Sequence, residues 1–307
     1  MNLILFGLFT ASIFSIEGLG QERAILVRPF LGKMNRARIE FSLKPEWNII
    51  NKDQDIRSIF WTNPFFFNMK IPVVKGMIIS LGSEERFNQS FDIYAHNEDL
   101  DMYVQGRGGI EELYLQLNGT FKFAEIFCRA SYLYGSSREI WRYTSAGYSI
   151  ADTFLYRNKG ETFRAGVKVS IFGIYYEGLG QVLISKSIDT TYQLPQVLGM
   201  GVEYGLKDWE FALLFEYTFT TMYNPTNRFR LNVNRMPFGL YYTFNPWYIK
   251  GITEHQIGFS MPIGLKDFGV VYLIPELGVR SKGPLREFTF TPELKLVLEE
   301  VFGRRKK

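Results

Sequence analysis

The sequence has few of the residues that enzymes and metal proteins commonly use at their sites. Its 307 residues include one cysteine, Cys128, and two histidines, His96 and His255. One cysteine excludes a disulfide framework and a thiolate metal cluster, and two histidines give little basis for a histidine-rich metal site. The net charge of +4 is too small to indicate a nucleic-acid-binding protein. We therefore expect no catalytic residues, no cofactor, no metal and no nucleic acid.

Long hydrophobic runs are scarce as well. The mostly apolar run from Leu3 to Ile16 is too short for a transmembrane helix, which needs about 20 residues, but it fits the core of a signal peptide. Gly18 and Gly20 follow at cleavage-site spacing, so residues 1–20 are predicted to be a signal peptide. No Lys or Arg precedes the run, and the alternative is a buried element at the start of a soluble fold. A chain that crosses a membrane after this point must do so as strands.

Aromatic residues and glycine are abundant instead. Phe, Tyr and Trp make up 17% of the chain, and there are 28 glycines. An apolar fraction of 46% with 21% charged residues excludes disorder. Soluble enzymes rarely combine these features. Transmembrane β-barrels do, because each strand shows one face to lipid and the other to water.

Apolar and polar side chains alternate along most of the chain. From Ala37 to Trp47 the odd positions are apolar and the even positions are charged or polar. The same period of two recurs at Phe211–Phe219, Phe229–Val233, His255–Met261 and Phe288–Leu298. This period is typical of strands with two different surroundings. A soluble sandwich also alternates, but its strands are about 5–6 residues long, and several here are much longer. The facing of two strands, 174–185 and 268–280, cannot be assigned from the pattern.

Short turns and longer connections also alternate. Short turns are predicted at Val74–Gly76, Gly119–Ala124, Ile171–Gly173, Gly205–Asp208, Arg235–Pro237 and Gly264–Asp267. Longer connections are predicted at 49–58, 95–102, 142–155, 189–193, 221–227, 245–252 and 281–284. Together they predict an all-β fold, a 14-stranded antiparallel transmembrane barrel over residues 35–303. The short turns and both termini would be periplasmic, the longer loops extracellular. The loops at 95–102 and 142–155 are candidates for folding into the lumen.

Three stretches carry a resemblance to a known family. They are Asn63–Gly82, with its hairpin at Val73–Gly76, the end of the chain from Ser281 to Phe290, and Gly135–Glu139. In these patterns the chain resembles the outer-membrane transport family of the long-chain fatty acid transporter, over residues 35–303. The resemblance implies a 14-stranded barrel of the bacterial outer membrane that imports hydrophobic compounds.

The chain departs from that family at its N-terminus. Members of the family have an N-terminal hatch that plugs the lumen and carries an Asn-Pro-Ala motif, which this sequence lacks. Only residues 21–34 precede the barrel, and we interpret them as a short periplasmic segment. Residues 304–307 are interpreted as a basic periplasmic tail. No substrate residue can therefore be transferred from the family position by position.

The inward-facing phase holds many charged residues of both signs. This lining is compatible with a pore, and equally with a narrow barrel closed by internal ion pairs. Five arginines are candidates for binding the carboxylate head of a substrate, since arginine forms bidentate pairs with carboxylates. They are Arg36, Arg38, Arg129, Arg228 and Arg230.

The third predicted strand suggests a lateral opening. Its outward phase runs from Met77 through Leu81 and then becomes polar at Ser83 and Glu85. A bulge at Gly82-Ser83 would open the wall sideways, because bulges redirect side chains and interrupt pairing. The resembling family releases its substrates into the bilayer through such an opening. The alternative is that Glu85 has already reached the rim of the barrel.

The remaining candidates have simpler interpretations. The acidic stretch at Asp92 and residues 97–101 could hold calcium, but its spacing does not fit an EF-hand, and it is interpreted as an exposed loop. His96 and His255 lack the partners of a hydrolase, and Cys128 lies on the lipid-facing phase. Aromatic residues near the loop ends of strands indicate an aromatic girdle.

Four functions remain in competition. The first is a passive transporter or channel for hydrophobic or amphipathic small molecules. The second is a structural or secretion-associated barrel with a closed lumen. An outer-membrane hydrolase and a soluble exported β-protein are the others. The oligomeric state cannot be inferred from the sequence, and the expected partners are the lipid bilayer and a hydrophobic substrate.

Overall fold

The computed structural model describes residues 21–22, 30–32, 34–52, 55–62, 66–97, 99–185, 189–219, 225–235, 237–246, 252–265, 269–282 and 285–300. The predicted signal peptide and basic tail lie outside these residues. Within the described ranges, no helix is long and apolar enough to cross a membrane.

The described residues form nineteen β-segments that pair antiparallel in a single sheet. They are β1 (Gln21–Glu22), β2 (Ala37–Leu43), β3 (Pro45–Lys52), β4 (Asp55–Thr62), β5 (Phe66–Val74), β6 (Met77–Asn88), β7 (Phe91–Asn97), β8 (Leu100–Thr120), β9 (Ala124–Ser145), β10 (Tyr148–Val169), β11 (Phe172–Ser185), β12 (Asp189–Gln193), β13 (Gln196–Leu206), β14 (Trp209–Phe219), β15 (Thr226–Arg235), β16 (Phe238–Pro246), β17 (Thr253–Gly264), β18 (Gly269–Lys282) and β19 (Leu285–Glu300).

These segments make a closed wall of 14 strands. Four wall strands are interrupted once each, so that β2 continues as β3, β4 as β5, β6 as β7 and β12 as β13. The last strand, β19, pairs with both halves of the first, with Leu294 opposite Leu43 and Phe290 opposite Trp47. Pairing of the first strand with the last closes the ring, which is the condition for strands to cross a membrane. The predicted 14-stranded antiparallel barrel is confirmed.

The two faces of the wall have opposite chemistry. Outward side chains such as Leu213, Leu240 and Ile257 are large, apolar and exposed, Leu213 to 48%. Inward side chains are largely polar and buried, for example Glu112 and Arg164. An apolar exterior around a polar interior is the construction of a barrel surrounded by lipid. The barrel is therefore built as an outer-membrane protein, as the alternation predicts.

The rim that carries the short turns is called the turn side here, and the opposite rim the loop side. The short turns at 75–76, 121–123, 170–171 and 207–208 lie where the sequence predicts them. Gly76 has a φ of 83° and a Cβ there would lie 2.7 Å from the Thr120 carbonyl oxygen. A tight turn against a neighbouring strand therefore requires glycine at this position.

Several connections on the loop side differ from the prediction. The predicted loops at 49–58, 95–102 and 142–155 are long hairpins, in which pairing continues to Lys52–Asp55, Asn97–Leu100 and Ser145–Tyr148. The predicted loop at 189–193 is a strand, β12. The expectation that 95–102 and 142–155 fold into the lumen is wrong, because backbone pairing extends these hairpins beyond the barrel wall. Beyond the bilayer both faces meet water, so the apolar alternation ends although the strands do not.

Bulges account for the side chains whose direction the sequence misassigns. The register of β6 against β8 shifts between Glu85 and Phe87, not at Gly82-Ser83 as predicted. This bulge turns Phe87 into the lumen, although the simple alternation predicts that it faces outward. A second shift, between Glu161 and Phe163 in the pairing of β10 with β11, interrupts the alternation of the 174–185 strand.

The described residues of the segment 21–34 lie against the barrel wall. Gln21 and Glu22 pair with Asn88 and Phe87 of β6. The Phe30 ring packs edge-on against Phe127, with their centroids 5.2 Å apart. Gln21 and Glu22 thus extend the wall beside β6, whereas Phe30 lies on its inner side. The domain limits drawn from the sequence remain predictions.

Candidate functional site

Six charged side chains from β6, β8, β9, β10 and β11 meet inside the barrel as the central ion network. Its members are Glu84, Arg86, Glu112, Arg129, Arg164 and Glu177. With equal numbers of arginines and glutamates, the network is formally neutral. Neutrality and mutual pairing are what allow so many charges to be buried together.

Arg86 holds the middle of the central ion network. Its Nη2 atom lies 2.8 Å from Glu177 Oε1, and its Nη1 atom lies 3.6 Å from Glu112 Oε2. Arg164 Nε donates to Glu177 Oε2 at 3.0 Å. Glu177 therefore joins two guanidinium groups from strands far apart in the sequence. Arg86 reaches this position because it is the extra residue of the β6 bulge.

Arg129 forms the other side of the network. It donates to Glu112 Oε1 at 2.7 Å and also pairs with Glu84. Its guanidinium lies 3.4 Å from the centroid of the Tyr114 ring, so the cation is covered by an aromatic face. Tyr114 in turn lies over Gly82, where a Cβ would come within 2.5 Å of the ring. Gly82 is thus a packing position under the network.

An apolar cluster lies directly beyond the network toward the loop side. It comprises Phe87, Ile110, Leu133, Val182, Ile184 and Leu194, with Tyr156 and Tyr192 packed against it. Phe87, Ile110 and Leu133 are fully buried. Along this wall, the network and the apolar cluster fill the lumen of the described barrel.

A second charged group closes the opposite wall on the loop side. Arg280 lies 2.7 Å from Glu254, 3.2 Å from Glu46 and 3.5 Å from Glu287. Asn245 Nδ2 also donates to Glu254 at 2.9 Å. One guanidinium therefore holds three carboxylates together. Because Glu46 and Glu287 belong to the first and last strands, this group also links the strands that close the barrel.

The turn side of the same wall is open. A cavity of about 410 Å³, called the vestibule here, lies against β2, β17, β18 and β19. Its apolar lining comes from Val270, Tyr272, Ile274 and Val297. Its polar lining comes from Arg36, Arg38, Glu40, Ser260, Lys295 and Glu299. The volume falls in the range of small-molecule sites, which combine apolar walls with a few polar groups.

The charges of the vestibule are only partly paired. Arg38 pairs with Glu299, and Lys295 lies 3.3 Å from Glu40. Lys70 also donates to Glu40 at 2.9 Å. Arg36 is exposed, and within the described residues its side chain makes no ion pair or hydrogen bond. The vestibule thus offers an apolar surface beside a guanidinium that an acidic group could reach.

The five arginines predicted to bind a substrate do not meet in one place. Arg36 and Arg38 line the vestibule, whereas Arg129 belongs to the central ion network. Arg228 donates to Thr218 at 3.0 Å and lies 3.8 Å from Glu216. Arg230 donates to Asn232 at 2.9 Å and covers the Tyr241 ring. Arg36 and Arg38 lie at the start of β2, Arg129 lies on β9, and Arg228 and Arg230 lie together on β15, so the five form no common site.

Sequence reasoning missed the residues that hold the lumen closed. Arg86 lies on a bulge, and Glu177 and Arg280 lie on the two strands whose facing the alternation does not assign. A signal was present at Arg164 and Glu254, which share the inward phase with other charges. Their partners are set by closure of the barrel, which no local pattern reveals.

The residues of the predicted lateral opening lie on β6, where the pairing of the wall changes. Ser83 is paired on both sides, with Phe67 of β5 and Leu113 of β8. Pairing with β5 ends at Ser83, while Glu85 faces outward and pairs with Glu111 of β8. The interruption of pairing therefore lies beyond Gly82-Ser83, at 84–86.

The two histidines, the cysteine and the acidic stretch were the remaining candidates from the sequence. His255 lies on the outer surface, with Nδ1 2.7 Å from the Tyr242 hydroxyl. Cys128 is a free thiol on the outward phase of β9. The His96 side chain lies outside the described side chains, as does Glu98 of the acidic stretch. Among described residues, no group of three His, Cys, Asp or Glu could hold a metal ion.

Comparison with known proteins gives a likeness of fold. No protein-family model matches the sequence, and no curated protein matches it. A Pseudomonas aeruginosa FadL homologue superposes with a TM-score of 0.56 at 6% identity, covering 90% of this chain and 92% of the other. The P. putida toluene transporter TodX superposes with a TM-score of 0.56 at 7% identity, covering 89% and 91%. The barrel has the fold of these outer-membrane proteins.

Proposed function

We propose that the barrel is a passive channel for hydrophobic or amphipathic small molecules, which occupy the vestibule. The observation that carries this proposal is the vestibule itself, a cavity of about 410 Å³ with an apolar wall beside Arg36 and Arg38. An acidic head group would meet the guanidinium groups, and an apolar body would lie along Tyr272 and Val297. The fold shared with a toluene transporter supports the same proposal.

The filled half of the lumen fits a selective channel better than an open pore. The central ion network and the apolar cluster occupy the lumen along their wall, which leaves less space for hydrated ions than a wide pore would. A substrate that leaves sideways needs a break in the wall, and the end of β5 pairing at Ser83 supports placing it at 84–86. The lateral opening, now shifted from Gly82-Ser83 to the bulge, stays part of the proposal, as does the absence of catalysis.

The buried ion network favours a second candidate. A structural or secretion-associated barrel with a closed lumen needs no ligand, and paired charges that fill the interior serve that role. The two functions differ in what the vestibule does. In the first it binds a substrate, and in the second it is only the open mouth of a sealed barrel.

Uptake measurements on cells decide between the two. Cells that express the wild-type chain, Val297→Trp or Val279→Trp are given a labelled fatty acid or alkane. Val297→Trp fills the vestibule and is expected to reduce uptake several-fold. Val279→Trp adds the same bulk on the outer face of β18 and is expected to have no effect. Heat-modifiable mobility on gels shows whether each variant folds.

Planar-bilayer recordings complete the test. The wild-type barrel is expected to show little small-ion conductance, because the lumen is filled on one side. The channel is supported if the wild type shows uptake with low conductance and if Val297→Trp reduces that uptake. Wild-type cells that take up no more than empty cells would overturn it in favour of the sealed barrel.

A further inference from the structure

A group of basic side chains lies on the outer surface of β8, β9 and β10, away from the vestibule. This basic patch consists of Arg107, Arg138, Arg142, Arg157 and Lys159. All five occupy the outward phase of their strands, and the last four are exposed. Within the described residues, the side chains of those four make no ion pair or hydrogen bond.

The pairing of the strands brings the charges together. Arg107 lies directly opposite Arg138 in the β8–β9 register. Arg157 lies opposite Ser136, one step diagonally from Arg138, and Lys159 is two residues further along β10. Like charges directly opposite each other destabilise a sheet. An anion between the five cations would reduce their mutual repulsion and so stabilise this part of the barrel.

The neighbouring carboxylates do not neutralise the patch. On the outward face, Glu111 lies opposite Tyr134 and Glu161 lies opposite Tyr132, both on the turn-side border of the patch. Asp101 lies opposite Thr144 on the other border. On the next strand the residues that face the patch are neutral, with Ser185 opposite Arg157 and Leu183 opposite Lys159. Glu85 lies opposite Glu111 on the same face, so five cations stand against four carboxylates, and an excess of one positive charge remains.

The height of the patch on the barrel indicates what the anion is. Tyr132 and Tyr134 stack on the outer face of β9 with centroids 6.1 Å apart, beyond the apolar belt of Leu113 and Leu115. Stacked tyrosines at this place mark the interface between lipid and water. Arg138 lies four residues beyond Tyr134, about 13 Å along the strand at about 3.3 Å per residue. That is the level of lipid head groups. Lys159 lies opposite Tyr134 and so nearer the apolar belt, and Arg142 lies four residues beyond Arg138, further from it.

An apolar side chain in the middle of the patch agrees with a lipid ligand. Leu155 lies opposite Arg138 and is 67% exposed. On β14, β16 and β17 the outer surface near the loop side is aromatic instead, with Tyr217, Tyr242 and His255. The basic patch is therefore a local feature of three strands and not a general property of the rim.

We propose that the basic patch binds the phosphorylated head groups of lipids in the leaflet on the loop side. Arginine forms bidentate hydrogen bonds with phosphate, and an array of guanidinium groups at fixed spacing suits a lipid with two phosphates. The site is independent of the vestibule and of transport. It would anchor the long β8–β9–β10 wall in its leaflet.

The test uses the full-length barrel purified in a neutral detergent and a bis-phosphorylated glycolipid, lipid A, as the probe. Native mass spectrometry counts the bound lipid across a titration. Wild type is expected to bind lipid A, and Arg138→Gln with Arg157→Gln to bind at least tenfold more weakly. Arg138→Lys with Arg157→Lys keeps the charge and is expected to retain most of the binding.

The control variant is Lys75→Gln with Lys122→Gln, which removes two exposed cations from the turn side. It is expected to bind like the wild type. Equal binding by the wild type and Arg138→Gln with Arg157→Gln would overturn the proposal. Displacement of lipid A by inorganic phosphate at the same concentration would show a general anion patch and would also overturn it. So would binding of an acidic peptide but not of lipid A.

Discussion

The two sides of the lumen are built in different ways. Along β6 to β11, charged and apolar side chains interlock until almost nothing is exposed, as at Arg86, Ile110 and Glu177. Along β2, β18 and β19, the same inward phase lines an open vestibule near the turn side. The difference shows that an alternating pattern fixes which way a side chain points but not whether it is enclosed. On the filled side, the β6 bulge turns both Arg86 and Phe87 inward, which adds side chains to the lumen there.

Replacing an arginine by alanine is expected to give the largest difference between the two sides in the free energy of unfolding. Arg86→Ala should lower the free energy of unfolding by about 3–5 kcal/mol, because it leaves the Glu177 and Glu112 carboxylates buried with fewer partners. Arg38→Ala in the vestibule should cost less than about 1 kcal/mol, because its partner Glu299 is partly solvated. Urea unfolding of the refolded barrel in micelles measures both. Equal losses would mean that the two sides are equally enclosed.

A matched isoleucine pair tests apolar packing. Ile110→Ala should cost about 2–5 kcal/mol, because Ile110 is fully buried and its loss leaves a cavity. Ile274→Ala removes the same atoms from the vestibule wall and should cost clearly less, because that side chain already borders open space. The same unfolding measurement applies. A larger loss at Ile274 would contradict the assignment of the filled side.

A matched glycine pair tests the close approach of strands. Gly82→Ala should cost about 1–3 kcal/mol by overpacking, because its Cβ would lie 2.5 Å from the Tyr114 ring and 2.8 Å from the Phe67 carbonyl oxygen. Gly264→Ala should be nearly neutral, because no atom lies within 4 Å of the added carbon. Thermal unfolding followed by circular dichroism reports both variants. A neutral Gly82→Ala would show that Tyr114 moves aside freely.

The smallest effect is expected for a lysine on the open side. Lys44→Ala breaks a pair with Glu293 at 3.0 Å, but the lysine side chain is 41% exposed. Such pairs contribute about 0–1 kcal/mol. Lys168→Ala is the counterpart, since Lys168 pairs with Glu203 and both are mostly buried, and it should cost more. The salt dependence of stability provides a further check, because added salt should weaken the Lys44 pair first.

The sequence predicted the strands and turns of the barrel wall well, but it predicted poorly which side chains meet in the lumen. The facing of Phe211–Phe219 and Phe288–Leu298 and the positions of the short turns follow from the period of two and from turn chemistry, both of which are local. Phe87 could not be assigned, since a one-residue bulge reverses the phase without a marker in the sequence. The hairpins at 95–102 and 142–155 were missed because strands outside the bilayer no longer alternate. The five candidate arginines were all predicted to face the lumen, but no sequence pattern indicates where each lies along the barrel axis.

By itself, the sequence determined that this protein is a barrel of 14 strands with an apolar exterior, because side-chain direction in a strand repeats every two residues. Only the tertiary structure decided that the interior is sealed on one side and open on the other. Arg86 meets Glu177, and Arg280 meets Glu46, across strands that become neighbours in space only when the barrel closes. Such pairings depend on bulges, on the stagger of the strands and on closure, and these are properties of the whole ring.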